Sequence, residues 1–303
     1  MRTALQRHGA RAATAAFAFA LAFAVTPLGG VATADATRNG DDARKPVEVS
    51  IGASGIHAPH SAQAGLVSFH VTTDDSKGRL LQVLRPHHGV SVHKLLADLA
   101  KAVGDDPAAA AKGISAAHDE AEALGGAQVT PSVPETFTTP ITAGTVTLLD
   151  FTAFLKDPAH PVTRTLELHG GSSSKGRADF PDSLVTTKET KAGPRFEVHG
   201  LRRAEDNILV HNASDEIHEM QLQPVAPGTT DAQIQKAFSG TSAGAPPFTG
   251  PANGLGAISP GRTALLSTHH LPPGTYALLC FVPDDETGHP HVAEGMHKVV
   301  VLK

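Results

Sequence analysis

The amino-acid sequence predicts a mostly β protein of two tandem domains, each a β-sandwich or barrel, with helical insertions that are larger in the first. Short apolar runs broken by Gly and Pro turns predict the strands, because alternation with a period of two builds a half-buried sheet. An internal repeat predicts the two domains. Gly144-Thr145-Val146-Thr147-Leu148-Leu149-Asp150-Phe151 lines up with Gly274-Thr275-Tyr276-Ala277-Leu278-Leu279-Cys280-Phe281, identical at five of eight positions. A weaker match precedes it: residues 81–86 lead to Gly89 as residues 220–224 lead to Gly228. The spacing, about 130–140 residues, is too long for a solenoid and suits a duplicated domain. The copies fall at residues 46–169 and 178–303, joined by a Gly/Ser-rich linker at 170–177.

At the N-terminus, Arg2, Arg7 and Arg11 precede an Ala/Phe-rich run over 12–25, and Ala32-Thr33-Ala34 follows. This is the pattern of a secretory signal peptide over residues 1–34. The apolar run is too short for a permanent transmembrane helix, and no later run of 18 apolar residues follows. Cleavage after Ala34 predicts a secreted, extracytoplasmic protein and leaves 22 basic against 30 acidic side chains, a net charge of −8. That balance excludes a nucleic-acid surface, which needs clustered Lys and Arg.

Within the copies, residues 67–71 and 208–210 read as strands, and 166–168 and 298–302 as closing strands. The first copy carries two helical patterns. One covers about 91–103; the other covers 107–124, with Asp106 as N-cap, Pro107 in the first helical position and Gly125-Gly126 as a stop. The second copy has one short helix, opened by Thr230 with Gln233 three residues on, the capping-box spacing.

A single Cys makes an intrachain disulfide impossible. Outside the cytosol, Cys280 is therefore buried and inert, paired between chains, or held as a metal thiolate. The period of two puts Tyr276, Leu278 and Cys280 on one strand face, so Cys280 points inward if that face meets the core. His291 and Met296 follow on the next loop, and Asn212 and His218 stand at the end of another strand-like segment. Two imidazoles, a thiolate and a thioether are the donor set of a blue-copper site: the sulfurs favour Cu(I) and the imidazoles accept Cu(II).

On these residues the second copy resembles the cupredoxins, the plastocyanin-like blue-copper family. Gly274-Thr275-Tyr276 with Cys280, then Pro290, His291, Gly295 and Met296, resemble the family's C-terminal motif, and Asn212 with His218 is similar to its upstream His segment. The resemblance implies Greek-key β-sandwiches and one type 1-like copper ion on His218, Cys280, His291 and Met296, with Met296 axial. It also implies electron transfer or copper handling and a redox partner protein. His289 is the alternative to His291. Copy one lacks the donors: Asp150 stands where Cys280 does and Arg79 falls opposite His218, which makes it a metal-free cupredoxin-like domain.

Copy two departs from the family's pattern in the ten residues between Cys280 and His291, in the acids Asp284-Asp285-Glu286, and in Glu219 after the first His. The family's oxidases and nitrite reductases pass electrons through a His beside the Cys. Here Leu279 and Phe281 flank Cys280, so no enzyme activity is expected. The competing expectation is a metal-free binding or structural module in which Cys280 packs as a small hydrophobe. His87-His88, His269-His270 and His57 with His60 read as exposed turn residues. Asn212-Ala213-Ser214 is formally a glycosylation sequon on an Asn with a turn role, and Gly240–Gly244 matches a nucleophile elbow without its strand-to-helix context.

Overall fold

Alternating burial builds the strands. Val47, Val49 and Ile51 are buried in β1 (Val47–Gly52), and Val67, Phe69 and Val71 in β4 (Gly65–Thr72), while the residues between them face outward. The computed structural model describes residues 45–170, 179–239 and 245–303. The predicted signal peptide, the linker beyond Gly170 and the Gly240–Gly244 match lie outside the described residues.

The first half also contains β2 (Gly55–His57), β3 (Ser61–Gln63), β5 (Arg79–Pro86), α1 (Val92–Ala102), α2 (Pro107–Glu120), β6 (Ala121–Val129), β7 (Glu135–Ile141), β8 (Gly144–Asp150), α3 (Phe151–Lys156) and β9 (Thr163–His169). The second half contains β10 (Ser183–Thr190), β11 (Gly193–His199), β12 (Asn207–Asn212), β13 (His218–Pro224), α4 (Asp231–Phe238), β14 (Asn253–Ile258), β15 (Thr263–Ser267), β16 (Gly274–Leu279) and β17 (His297–Leu302). The protein is mostly β, and the helices are concentrated in the first half.

The strands form two sheets, and each sheet runs through both halves. One has the order β11-β10-β12-β15-β7-β4-β1-β2, the other β17-β16-β13-β14-β6-β5-β8-β9-β3. The halves join edge to edge at two antiparallel seams, β15 on β7 with Leu266 opposite Phe137, and β14 on β6 with Leu255 opposite Ala127. Between the sheets lies one core: Phe69 stacks on Phe137 with centroids 4.9 Å apart, and Leu81, Leu124 and Leu148 meet them from the second sheet. Ile208, Met220, Leu222 and Leu278 continue that core into the second half. Residues 43–303 make one compact unit.

Buried polar groups lock the second seam. The Gln82 amide donates to Gly125 O (3.0 Å) and Ala257 O (2.9 Å) and accepts from Ala257 N (2.8 Å), tying β5 to β14 across β6. Glu135 accepts from Gly254 N, and burial pushes its carboxyl well above the ordinary range.

The N-caps Asp106 and Thr230 stand where the sequence places them, Thr230 with Gln233 forms a full capping box, and Ser91 caps α1. Two helical expectations change. The helix expected over 107–124 ends at Glu120, and Gly125-Gly126 lies inside β6. A Cβ on Gly126 would fall 1.9 Å from Leu81 O, so the pair serves a close strand approach rather than a helix stop. A third helix in the first half, α3, carries no predicted helical pattern, and Asp150 caps it by accepting from Ala153 N.

Gly126→Ala is expected to destabilise the protein by about 3 kcal/mol or more, because backbone on the neighbouring strand must move. The midpoint of urea unfolding measures it; an unchanged midpoint would contradict the close approach.

Candidate metal centre

Antiparallel pairing of β13 with β16, with Gln221 opposite Leu279, puts the start of one strand beside the end of the other. His218 opens β13 and Cys280 follows the last residue of β16. The inward face predicted for Tyr276, Leu278 and Cys280 is the core face, and all three belong to the main core. The loop from Phe281 to Met296 then returns to this end of the sheet.

That return is built from backbone bonds. His291 N donates to Val282 O (3.0 Å) and Val292 N to Cys280 O (2.8 Å), and Pro283 bridges Pro290. Asp284 Oδ1 accepts from Glu286 N (3.0 Å) and Thr287 N (2.6 Å), so the acidic insert closes its own turn. The ten residues between Cys280 and His291 thus form a pinched loop that delivers His291 back to Cys280.

His218, Cys280 and His291 are fully buried and their donor atoms converge. His218 Nδ1 lies 3.0 Å from His291 Nδ1, and Cys280 Sγ lies 3.7 Å and 3.5 Å from them. A point equidistant from these three atoms is about 2.0 Å from each, close to the ~2.0–2.3 Å at which imidazole nitrogen and thiolate sulfur hold a first-row metal. Met296 is also fully buried, and its N–H donates to His291 O (2.9 Å).

Both imidazoles turn Nε2 toward a carboxylate. His291 Nε2 is 3.0 Å from Glu216 Oε2, and His218 Nε2 is 3.7 Å from Glu189 Oε1. A proton held at Nε2 leaves the Nδ1 lone pair for a metal, the usual role of a carboxylate behind a metal-binding His. Glu216 also accepts from Asp285 N (3.2 Å), which ties the acidic insert to His291. Asn212 anchors the segment before His218: its Nδ2 donates to Glu216 O (2.7 Å) and Ile258 O (2.9 Å), and its Oδ1 accepts from Thr187 and Ser214. Fully buried and fully bonded, Asn212 is a structural residue and not an accessible glycosylation acceptor.

The two imidazoles differ electrostatically. Burial, then the neighbouring His291 charge, lowers His218 to about 3, so it is neutral and its Glu189 contact is not an ion pair. Burial also opposes charge on His291, but the Cys280 sulfur and the Glu216 carboxylate outweigh it and raise His291 to about 10. Without metal, His291 carries the proton that a metal would displace.

His289 is exposed and outside this group, and His297 faces α4, with Nε2 3.0 Å from Gln235 Oε1. His57, His60, His87, His88, His269 and His270 are exposed, and no metal-holding group among the described residues includes them. Glu189 and Glu216 were not anticipated from the sequence. Glu216, two residues before His218, had the only usable signal, proximity along the chain.

The first half holds different chemistry at the matching places. Arg79 opens β5 as His218 opens β13, and Asp150 ends β8 at the position of Cys280. Arg79 Nη1 donates to Asp150 Oδ2 (2.8 Å), and its Nε to Asp75 Oδ2 (2.8 Å). An ion pair spans the strands where the second half places a thiol and an imidazole.

No family model and no curated protein matches this chain. Among solved structures the chain has distant likenesses. Rusticyanin from Thiobacillus ferrooxidans is 20% identical over 40% of this chain and 76% of its own, with a TM-score of 0.24. Auracyanin B is 16% identical over 42% and 93%, with a TM-score of 0.25. The copper nitrite reductase from Nitrosomonas europaea is 11% identical over 86% and 94%, with a TM-score of 0.23. Likeness at this level decides nothing about the site, which stands on its own donor atoms.

The two imidazoles set a pH profile for the metal-free protein. The lowered His218 contributes stability that is present above its unfolded value near 6.5 and lost as pH falls toward about 3. The raised His291 contributes stability that is full below 6.5 and lost as pH rises through about 10. Urea midpoints of the metal-free protein should therefore peak near neutrality, and His291→Gln should remove the alkaline decline. An alkaline limb unchanged in that variant would refute the assignment.

Arg79→Met is expected to destabilise the fold by about 3 kcal/mol, since it leaves the Asp150 carboxylate buried without its partner. Metal retention should be unaffected. A neutral midpoint shift, or loss of metal, would contradict the structural role given to the pair.

Proposed function

We propose that this chain is an exported copper-binding protein that carries single electrons, or hands on copper, through one mononuclear site. His218, Cys280 and His291 would hold the ion, and the buried Met296 would offer a thioether as a further donor. The observation that carries the reading is the convergence of His218 Nδ1, His291 Nδ1 and Cys280 Sγ in a buried site, with each Nε2 directed at a carboxylate.

When bound, copper supplies a one-electron Cu(II)/Cu(I) couple. The chain's residues do the rest. Cys280 gives a thiolate, further fixed by the Glu219 N–H at 3.5 Å from Sγ. His218 is neutral before metal arrives, while His291 releases its proton on binding. Asn212 fixes the segment before His218 and the Asp284 turn fixes the loop that carries His291, which keeps rearrangement between redox states small.

In this reading the chain is a duplication, with a metal-free copy at 46–169 and a copper-binding copy at 178–303, and residues 1–34 are a cleaved export signal. Supporting the duplication, β5 and β8 occupy the places in the first half that β13 and β16 occupy in the second. No substrate chemistry is assigned, because Leu279 and Phe281 flank Cys280 and offer no second imidazole for onward transfer.

Adding one equivalent of Cu(II) to the chain from residue 35 onward should give an intense visible thiolate charge-transfer band and raise the melting temperature. Cys280→Ser should abolish the band while leaving the far-UV circular dichroism unchanged. Retention of Cu(I) without a stable coloured Cu(II) form would mark a copper carrier. No retention of either ion, with an unmoved melting temperature, would overturn the reading in favour of a metal-free binding module.

A further inference from the structure

A cavity of about 730 Å³ lies between the outer face of the second sheet, the helices α1 and α2, and the loop that carries His291. Its size falls in the ~300–1,000 Å³ range of small-molecule sites. The walls are mostly apolar: Leu95 and Leu99 come from α1, and Ile114 and Ala117 from α2, while Gln128, Thr152 and Gln221 add polar groups. Leu155 lines it too and is 54% exposed, a large apolar side chain at the solvent boundary. No Lys or Arg lines the cavity, whereas Asp105 and Glu219 do, so an anion is disfavoured.

Glu219 provides one directional contact. It is 6% exposed, and its Oε1 accepts from Phe281 N (2.9 Å) and Gln221 Nε2 (3.1 Å). Among the described residues no protein donor reaches its other carboxyl oxygen. Glu219 thus presents a carboxyl oxygen without a protein donor in a mostly apolar cavity, an anchor for a ligand's hydrogen bond.

We propose that this cavity binds a neutral, apolar fused-ring molecule bearing one hydroxyl, its rings against α1 and α2 and its hydroxyl on Glu219. A rigid ring system fits because it gives up little conformational freedom on entry. A hydroxyl fits because it can both donate and accept. Phe281, His289 and Pro290 also line the cavity, so its occupant touches the residues on either side of the metal loop. The site is made by protein groups alone and does not rest on the copper reading.

The test uses 2-naphthalenemethanol, a fluorescent and redox-inert fused-ring alcohol, titrated into the metal-free chain. The expected result is saturable one-to-one binding with a dissociation constant in the micromolar range, accompanied by a higher melting temperature. 2-Ethylnaphthalene, of the same shape without the hydroxyl, should bind at least tenfold more weakly. Ala257→Phe, which places a ring in the cavity from β14, should abolish binding. Should that variant fail to fold, Leu155→Ala at the exposed boundary should still weaken binding several-fold. Non-saturable uptake, equal affinity for the two naphthalenes, or full affinity in Leu155→Ala and in a folded Ala257→Phe would each overturn the proposal.

Discussion

Three donor atoms brought within 4 Å of one another in a site closed to water are an expensive arrangement for a protein. Two imidazole nitrogens 3.0 Å apart must share a proton, or one must give it up, and here His291, next to the Cys280 sulfur and the Glu216 carboxylate, keeps it. The local structure around the site opposes their separation. Asn212 uses its whole amide to hold the segment before His218, and Asp284 folds the acidic insert into a closed turn. Glu216 joins both by accepting from Asp285 N and meeting His291 Nε2. A chain that needed only a stable core at this end of the sheet would have no reason to collect these groups. The Arg79–Asp150 pair in the first half shows a simpler way to fill the same place.

That pair also shows how one strand arrangement supports two kinds of chemistry. In each half, the start of one strand lies beside the end of its antiparallel neighbour, and the two side chains at that corner face each other. With Arg and Asp the corner neutralises itself, and Asp150 uses its second oxygen to cap α3. With His and Cys it leaves lone pairs directed at a common point, and the loop after Cys280 adds a third. The difference lies in the side chains and in the return of the following loop, while the sheet beneath is shared.

Much of this was legible in the sequence. The repeated Gly-Thr segment identified the strands that carry Asp150 and Cys280, and the period of two put Tyr276, Leu278 and Cys280 on one face, which the structure turns to the core. The capping residues Asp106 and Thr230 located two helix starts. What escaped was decided by distant contacts. Gly125-Gly126 carries the same local signal whether it stops a helix or lets Leu81 O approach, and only pairing with β5 distinguishes them. Asp150 reads as a lost ligand until α3 shows that it is also a cap. Glu189 and Glu216 are ordinary surface-type residues in sequence, and their place behind the imidazoles follows from tertiary packing. The cavity is likewise a property of how helices from one half stand against a loop from the other.

The two seams have a consequence for how the molecule can be divided. A domain with its own closed boundary can be cut free at a linker, but β14 and β15 each use one side to pair with a strand of the other half. Separating residues 178–303 would leave two bare strand edges with unpaired N–H and C=O groups, and would strip Ala257 of the Gln82 amide that satisfies it. Such edges are templates for further strands, so the isolated half would be prone to self-association. The first half therefore acts as a permanent edge guard for the half that gathers His218, Cys280 and His291.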